Sequence, residues 1–114
     1  MEDCVFCKIL ARKIPAAKLY EDELFIVIRD IAPRAQTHCL AIPKRHYGLL
    51  ADMTAEDAED LGEIFARIPV MVRNTLGLKN GYRLIINQGD DAGQTVSHLH
   101  IHVLGGQKME FNPA

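Results

Sequence analysis

The chain has 114 residues, nearly half of them apolar, and a formal net charge of −2 at neutral pH. That is enough for one core and a single domain, residues 1–114, but a chain this small buries a limited share of its surface, so pairing with a second copy is expected. The near-neutral charge, without long runs of one sign, gives no case for nucleic-acid or membrane partners. No apolar stretch is long enough to span a bilayer, and the acidic start Met1-Glu2-Asp3-Cys4 lacks a secretory pattern.

In chain order, Cys4 to Lys13 carries Val5, Phe6, Ile9 and Leu10 and reads as a short amphipathic helix stopped ahead of Pro15. Lys18 to Glu21 and Leu24 to Arg29 read as strands, Asp30-Ile31-Ala32-Pro33 as a turn, and His38 to Pro43 as the next strand. Thr54 caps a long helix with Asp57 reaching back. Its apolar positions Ala58, Leu61, Ile64, Phe65, Ile68 and Val72 recur at helical spacing until Gly77, and Pro69 inside it predicts a kink or break. Asn80-Gly81 is a turn, Tyr82 to Asn87 a strand, Gln88 to Gln94 a loop and Thr95 to Leu104 a strand; the tail from Gly105 is expected to be irregular. Five strands joined mostly by brief turns, with one long and one short helix, predict an α+β domain built on an antiparallel sheet.

The last strand holds the chemistry. In His98-Leu99-His100-Ile101-His102-Val103-Leu104, alternation puts three imidazoles on one face and apolar residues on the other. Imidazole is basic and nucleophilic near neutral pH. The row is therefore a solvated face, a three-histidine zinc centre, or a site of phosphoryl or nucleotidyl transfer. The loop just before it, Gly89-Asp90-Asp91-Ala92-Gly93-Gln94-Thr95-Val96, favours the last. Glycines let backbone N–H groups approach a phosphate, and Gln94 and Thr95 add neutral donors beside the histidines. Upstream, Cys4-x-x-Cys7 has the spacing of half a zinc site; alone it is equally a redox pair or inert. An odd count of three cysteines fits a reduced, cytoplasmic setting better than a disulfide framework.

The histidine signature resembles that of the histidine triad superfamily, and the resemblance to its Hint-like branch runs almost the whole chain. It is carried by Cys4-Val5-Phe6-Cys7-Lys8-Ile9, Ile14-Pro15-Ala16, Arg29-Asp30-Ile31-Ala32-Pro33, Thr37-His38 and Ile42-Pro43-Lys44-Arg45-His46. It continues through Gly81-Tyr82-Arg83, Asn87-Gln88-Gly89, Gly93-Gln94-Thr95-Val96 and His100-Ile101-His102-Val103-Leu104-Gly105-Gly106.

The resemblance implies cleavage of purine nucleoside 5′-phosphoramidates, AMP- or GMP-type, through a covalent nucleotidyl-histidine. His100 is then the nucleophile and His102 its phosphate-side partner, with His38 orienting them. Thr95 takes the place of a hydroxyl residue, often serine, near the leaving group. Gln94 and the amides of Thr95 and Val96 complete the phosphate site. Asp30 matches the residue that binds the ribose hydroxyls, Asn87 and Gly93 match sugar and phosphate contacts, and Phe6, Ile9, Ile28 and Ile31 are candidates for the apolar base slot. Relatives that keep the cysteine pair bind a structural zinc, which implies Cys4, Cys7, His46 and His98 as its ligands; no organic cofactor is implied. The family dimer joins two five-stranded sheets into one and brings the C-terminal tail near the partner's site. Phe111 stands where relatives often have tryptophan, which would alter the pocket rim. Two rival functions use the same residues: a nucleotide-binding regulatory module with incidental hydrolysis, and a zinc hydrolase holding metal on all three histidines.

Overall fold

The computed structural model describes residues 4–110. Its elements are α1 (Val5–Leu10), β1 (Lys18–Glu21), β2 (Phe25–Arg29), β3 (Thr37–Pro43), α2 (Ala55–Met71), β4 (Tyr82–Ile85) and β5 (Ile101–Gly105). The strands form one antiparallel sheet in the order β1-β2-β3-β5-β4. β5 enters between β3 and β4, so the C-terminal histidine segment reaches the middle of the sheet. No helix among the described residues is long and apolar enough to cross a membrane.

Strand alternation gives the sheet two working faces. On one, Phe25, Val27, Cys39, Ala41, Ile101 and Val103 pack against Ile64, Ile68, Met71 and Val72 of the long helix. On the other, Ile26, Ile28, Leu40 and Ile42 pack against Phe6. Leu40 pairs with His102 and His38 with Leu104 across β3 and β5, so both histidines lie on this second face. The large core therefore sits behind the site and makes a rigid backing for it. Each fully buried aliphatic or aromatic side chain there contributes about 1.5–3 kcal/mol.

Local chemistry sets the boundaries. The Thr54 hydroxyl accepts the Asp57 N–H, and the Asp57 carboxylate accepts the Thr54 N–H, which closes a capping box on α2. Pro69 does not break this helix. It continues to Met71, and only beyond it does the bonding widen to π-type turns over Val72–Leu76, ending at Gly77 in the left-handed region with φ 67°. The short helix is shorter than the predicted Cys4 to Lys13, with Cys4 as its cap. It ends through Arg12 at φ 61°, a place where glycine is usual, with Arg12 N–H bonding Ile9 O and Lys13 N–H bonding Lys8 O.

The main correction concerns the histidine strand. Only Ile101–Gly105 pairs as strand, not Thr95 to Leu104, and Gly105 belongs to the sheet rather than to the tail. The β3–β5 ladder ends at the Ala41–Ile101 pair, although β3 itself runs on to Pro43, and the β4–β5 ladder ends at Ile85–His102, so the residues before Ile101 have no ladder partner. The expectation for the Phe111 rim lies outside the described residues.

Candidate functional site

The alternation of side chains survives where the ladder does not. Leu99, Ile101 and Val103 are fully buried, and the histidines between them turn the other way. The three imidazoles are not equivalent, and they do not converge on one point.

His98, at 0 % exposure, looks away from the other two. Its Nε2 lies 3.0 Å from the Pro43 carbonyl, which can only accept, so the ring proton is on Nε2. Nδ1 then presents its lone pair to the sulfurs of Cys4 and Cys7 at 3.3 and 3.5 Å. His46 approaches the same place, with Nδ1 3.3 Å from Cys7 Sγ. The four ligand atoms all lie within 4.8 Å of one another. A tetrahedral ion with bonds of about 2.3 Å to sulfur and about 2.0 Å to nitrogen has sulfur–nitrogen edges of about 3.5 Å, so this cluster has the size and donor set to hold one. The carbonyl behind His98 is the partner a metal-bound imidazole usually has. Burial and the adjacent Cys4 thiol push the Cys7 thiol up from its ordinary value, so a thiolate here needs a cation beside it.

His100 is 7 % exposed. Its Nδ1 is 2.7 Å from the His98 carbonyl, so Nδ1 carries the proton and Nε2 the free lone pair. The ring stands between Phe6, at 5.0 Å and 72°, and His102, at 5.1 Å and 62°.

His102 and His38 form a relay. The Arg34 N–H donates to His38 Nδ1 at 3.0 Å, which leaves the His38 proton on Nε2. That atom lies 2.9 Å from His102 Nδ1 and 3.3 Å from the Asp30 carboxylate. With His102 Nδ1 accepting, the remaining His102 proton is on Nε2, a donor. Asp30 has two duties: one oxygen accepts the Ala32 N–H at 2.8 Å and fixes the turn, and the other meets the histidine pair.

The Gly89 to Val96 loop is clamped by Gln94. Its amide oxygen accepts the Gly89 N–H at 2.8 Å, and its amide nitrogen donates to the carbonyls of Val96 at 3.1 Å and Gly48 at 3.4 Å. Gln94 therefore shapes the loop with its side chain. Gly89 and Gly93 take positive φ of 80° and 76° to make the bend. Among the described residues, the N–H groups of Thr95 and Val96 meet no protein acceptor. The Thr95 side chain is exposed, and Asn87 is half-buried.

The predicted base-slot residues are spread. Ile9 and Ile28 line a cavity of about 350 Å³ together with Ile14, Ile26, Arg12 and Lys13. Ile31 is 101 % exposed on the turn beyond β2, whereas Phe6 is 6 % exposed with its ring against His98 and His100. A nucleophilic His100 calls for a backbone carbonyl behind its other ring nitrogen, but the sequence does not name that carbonyl, on His98, nor the Pro43 carbonyl and the Arg34 N–H that set the other two tautomers. No residue type signals them, because every residue carries these groups.

Burial lowers His102 below the ordinary histidine value, His100 and His38 lower it further, and Asp30 opposes them; burial also lowers His38 against Asp30. An unfolded chain, with histidines near about 6.5, therefore takes up protons first as pH falls. Stability should fall as pH drops through that value, and the loss should level off below the depressed folded values. Denaturant midpoints at pH 8 and pH 5.5 test this. The wild type should drop more than a His38→Gln/His102→Gln double variant, and equal drops would reject the assignment.

The family profile described as HIT domain matches residues 11–109. The uncharacterized HIT-like protein of Synechococcus elongatus is 45 % identical over 112 residues, covering 98 % of this chain and 97 % of that one. The solved HIT family hydrolase from Clostridium thermocellum shares 43 % identity with a TM-score of 0.91, covering 100 % of this chain and 99 % of that one. A Zn-bound histidine triad family protein from Mycobacterium smegmatis shares 37 % identity with a TM-score of 0.79, covering 99 % and 85 % of the two chains.

Proposed function

The chain belongs to the HIT domain family, and from that premise we propose that it is a cytoplasmic hydrolase of the Hint-like branch that cleaves purine nucleoside 5′-phosphoramidates. One observation carries the reading. His100 is locked by the His98 carbonyl at 2.7 Å in the tautomer whose Nε2 lone pair is free, with the ring of His102, a donor through Nε2–H, at 5.1 Å.

In this mechanism His100 Nε2 attacks phosphorus and forms a P–N bond as the bond to the leaving amine breaks. The amine departs with its electron pair and takes up a proton on the solvent side, where the Thr95 hydroxyl can hydrogen-bond to it. Positive charge that develops on the ring is stabilised through Nδ1–H by the His98 carbonyl. His102 Nε2–H and the amides of Thr95 and Val96 stabilise the phosphoryl oxygens, the main task in phosphoryl-type transfer. Water then attacks phosphorus and gives up a proton to solvent as the Nε2–P electron pair returns to His100, releasing the monophosphate. Asp30 takes the ribose hydroxyls with the oxygen it now turns to His38, Asn87 and Gly93 flank the sugar and phosphate, and Gln94 holds the loop. Ile9, Ile28 and the exposed Ile31 supply apolar surface for the purine. The test is turnover of adenosine 5′-phosphoramidate by wild type and His100→Ala, developed in the Discussion.

We assign zinc to the Cys4/Cys7/His46/His98 cluster. With four protein ligands it would cross-link α1 to the segments after β3 and before β5, with no open position for substrate.

We also infer a homodimer that pairs through β4. This strand is a sheet edge that carries exposed Tyr82, and Val70 of the long helix is exposed as well. Sedimentation at micromolar concentration should give about twice the 12.8 kDa chain mass; a single-chain mass would reject the pairing.

A further inference from the structure

We propose that Phe6 is a positioning residue for His100, through which the four-ligand cluster sets the orientation of the nucleophile. The inference rests on the nucleophile assigned above and deepens it.

Phe6 lies on α1 between the two cysteines, with Cys4 as helix cap and Cys7 one turn on; the Cys7 N–H donates to Cys4 Sγ at 3.4 Å. A helix of six residues has little stability of its own, so its place depends on what anchors it. One anchor is apolar packing on Ile26, Ile28, Leu40 and Ile42. The other is the cluster, which ties Cys4 and Cys7 to His98 and His46.

The Phe6 ring meets His98 edge-on at 5.7 Å and 85°, and His100 at 5.0 Å and 72°. His98 is the second arm, because its side chain faces the cluster while its carbonyl holds His100 Nδ1. A single hydrogen bond still lets the His100 ring rock about the N–H···O contact through small coupled changes of χ1 and χ2. Phe6 on one side and His102 on the other remove that freedom. Little of the Phe6 ring remains for stacking on a base, since it is 6 % exposed.

The experiment reads turnover and the His100 ring together. In Phe6→Leu, which keeps apolar volume but loses the ring edge, kcat should fall about tenfold with KM within about twofold, a loss in the range expected for misplacing a reacting group. Ring ¹⁵N spectra at fixed pH should show one Nδ1–H tautomer of His100 in the wild type and a mixture in Phe6→Leu. Phe6→Tyr, which restores a ring, should recover both readouts. His46→Ala loosens the cluster without touching His100 and should reproduce the kcat loss and the mixed spectrum, which also covers the case of a Phe6 variant that does not fold. A rise in KM at constant kcat, or an unchanged His100 spectrum in both Phe6→Leu and His46→Ala, would overturn the proposal. If the wild type fails to turn over phosphoramidate, the proposed function falls, and the ring spectra decide the positioning role alone.

Discussion

His100→Ala should abolish hydrolysis of adenosine 5′-phosphoramidate, with kcat down by about four orders of magnitude or more, as for removal of other covalent nucleophiles. The reason is geometric. His100 alone of the three combines a free Nε2 lone pair with a carbonyl behind Nδ1 to hold the charge that develops. His98 has its free nitrogen turned to two sulfurs, and His102 is relayed to His38 through Nδ1, so neither can take over attack. His102→Ala should cost less, about a hundredfold, because it removes one of several donors to the phosphoryl oxygens. Quenching the wild type during turnover should capture a nucleotidyl adduct that maps to the peptide containing residue 100, and His100→Ala should give none. The rival regulatory module predicts the opposite pattern, with slow hydrolysis that is indifferent to this substitution. Equal rates for wild type and His100→Ala, in folded protein of unchanged melting behaviour, would sink the nucleophile assignment.

What could be read from the sequence divides along a physical line. Side-chain patterning carried the sheet, both helices and the facing of the histidines, because burial of Leu99, Ile101 and Val103 forces their neighbours outward even where no strand partner exists. The extent of β5 was not legible. Ladder pairing depends on how far β3 and β4 stay alongside β5, which is a property of other segments of the chain. Pro69 shows the same dependence. Alone it predicts a kink or a break, but Ile64, Ile68, Met71 and Val72 are all buried against the sheet, and their packing carries the helix past the missing N–H without a break. At the site, residue types picked out side chains that the fold brings together, while the division of labour among the histidines came from the family resemblance and not from residue types. That division is set by backbone groups, such as the Pro43 carbonyl behind His98 and the Arg34 N–H on His38, which carry no sequence signature. Gln94 is the clearest case. Its amide was expected at the phosphate and instead bridges Gly89, Val96 and Gly48, so that its contribution is the shape of the loop.

Protein purified without chelator should carry close to one zinc per chain, and stripping it should lower the melting temperature by about 15 °C. An ion that binds only the folded chain, at free concentrations a thousand times its dissociation constant, stabilises by about 4 kcal/mol, and for a domain of this size each kcal/mol moves the midpoint by about 4 °C. The sign follows from the ligand set. Cys7 is pushed up by burial and by Cys4, so without a cation its thiol stays protonated and gives His46 only a weak sulfur–nitrogen contact. Zinc should restore the wild-type midpoint after stripping and leave a Cys4→Ser/Cys7→Ser variant unchanged. Less than about one zinc per several chains would count against the four-ligand site. The same sample separates the two metal readings. A zinc hydrolase that used His98, His100 and His102 would lose turnover on stripping as completely as His100→Ala does. A cluster that only anchors α1 and His98 should leave the stripped protein, below its lowered midpoint, with the roughly tenfold loss expected of a misaligned nucleophile.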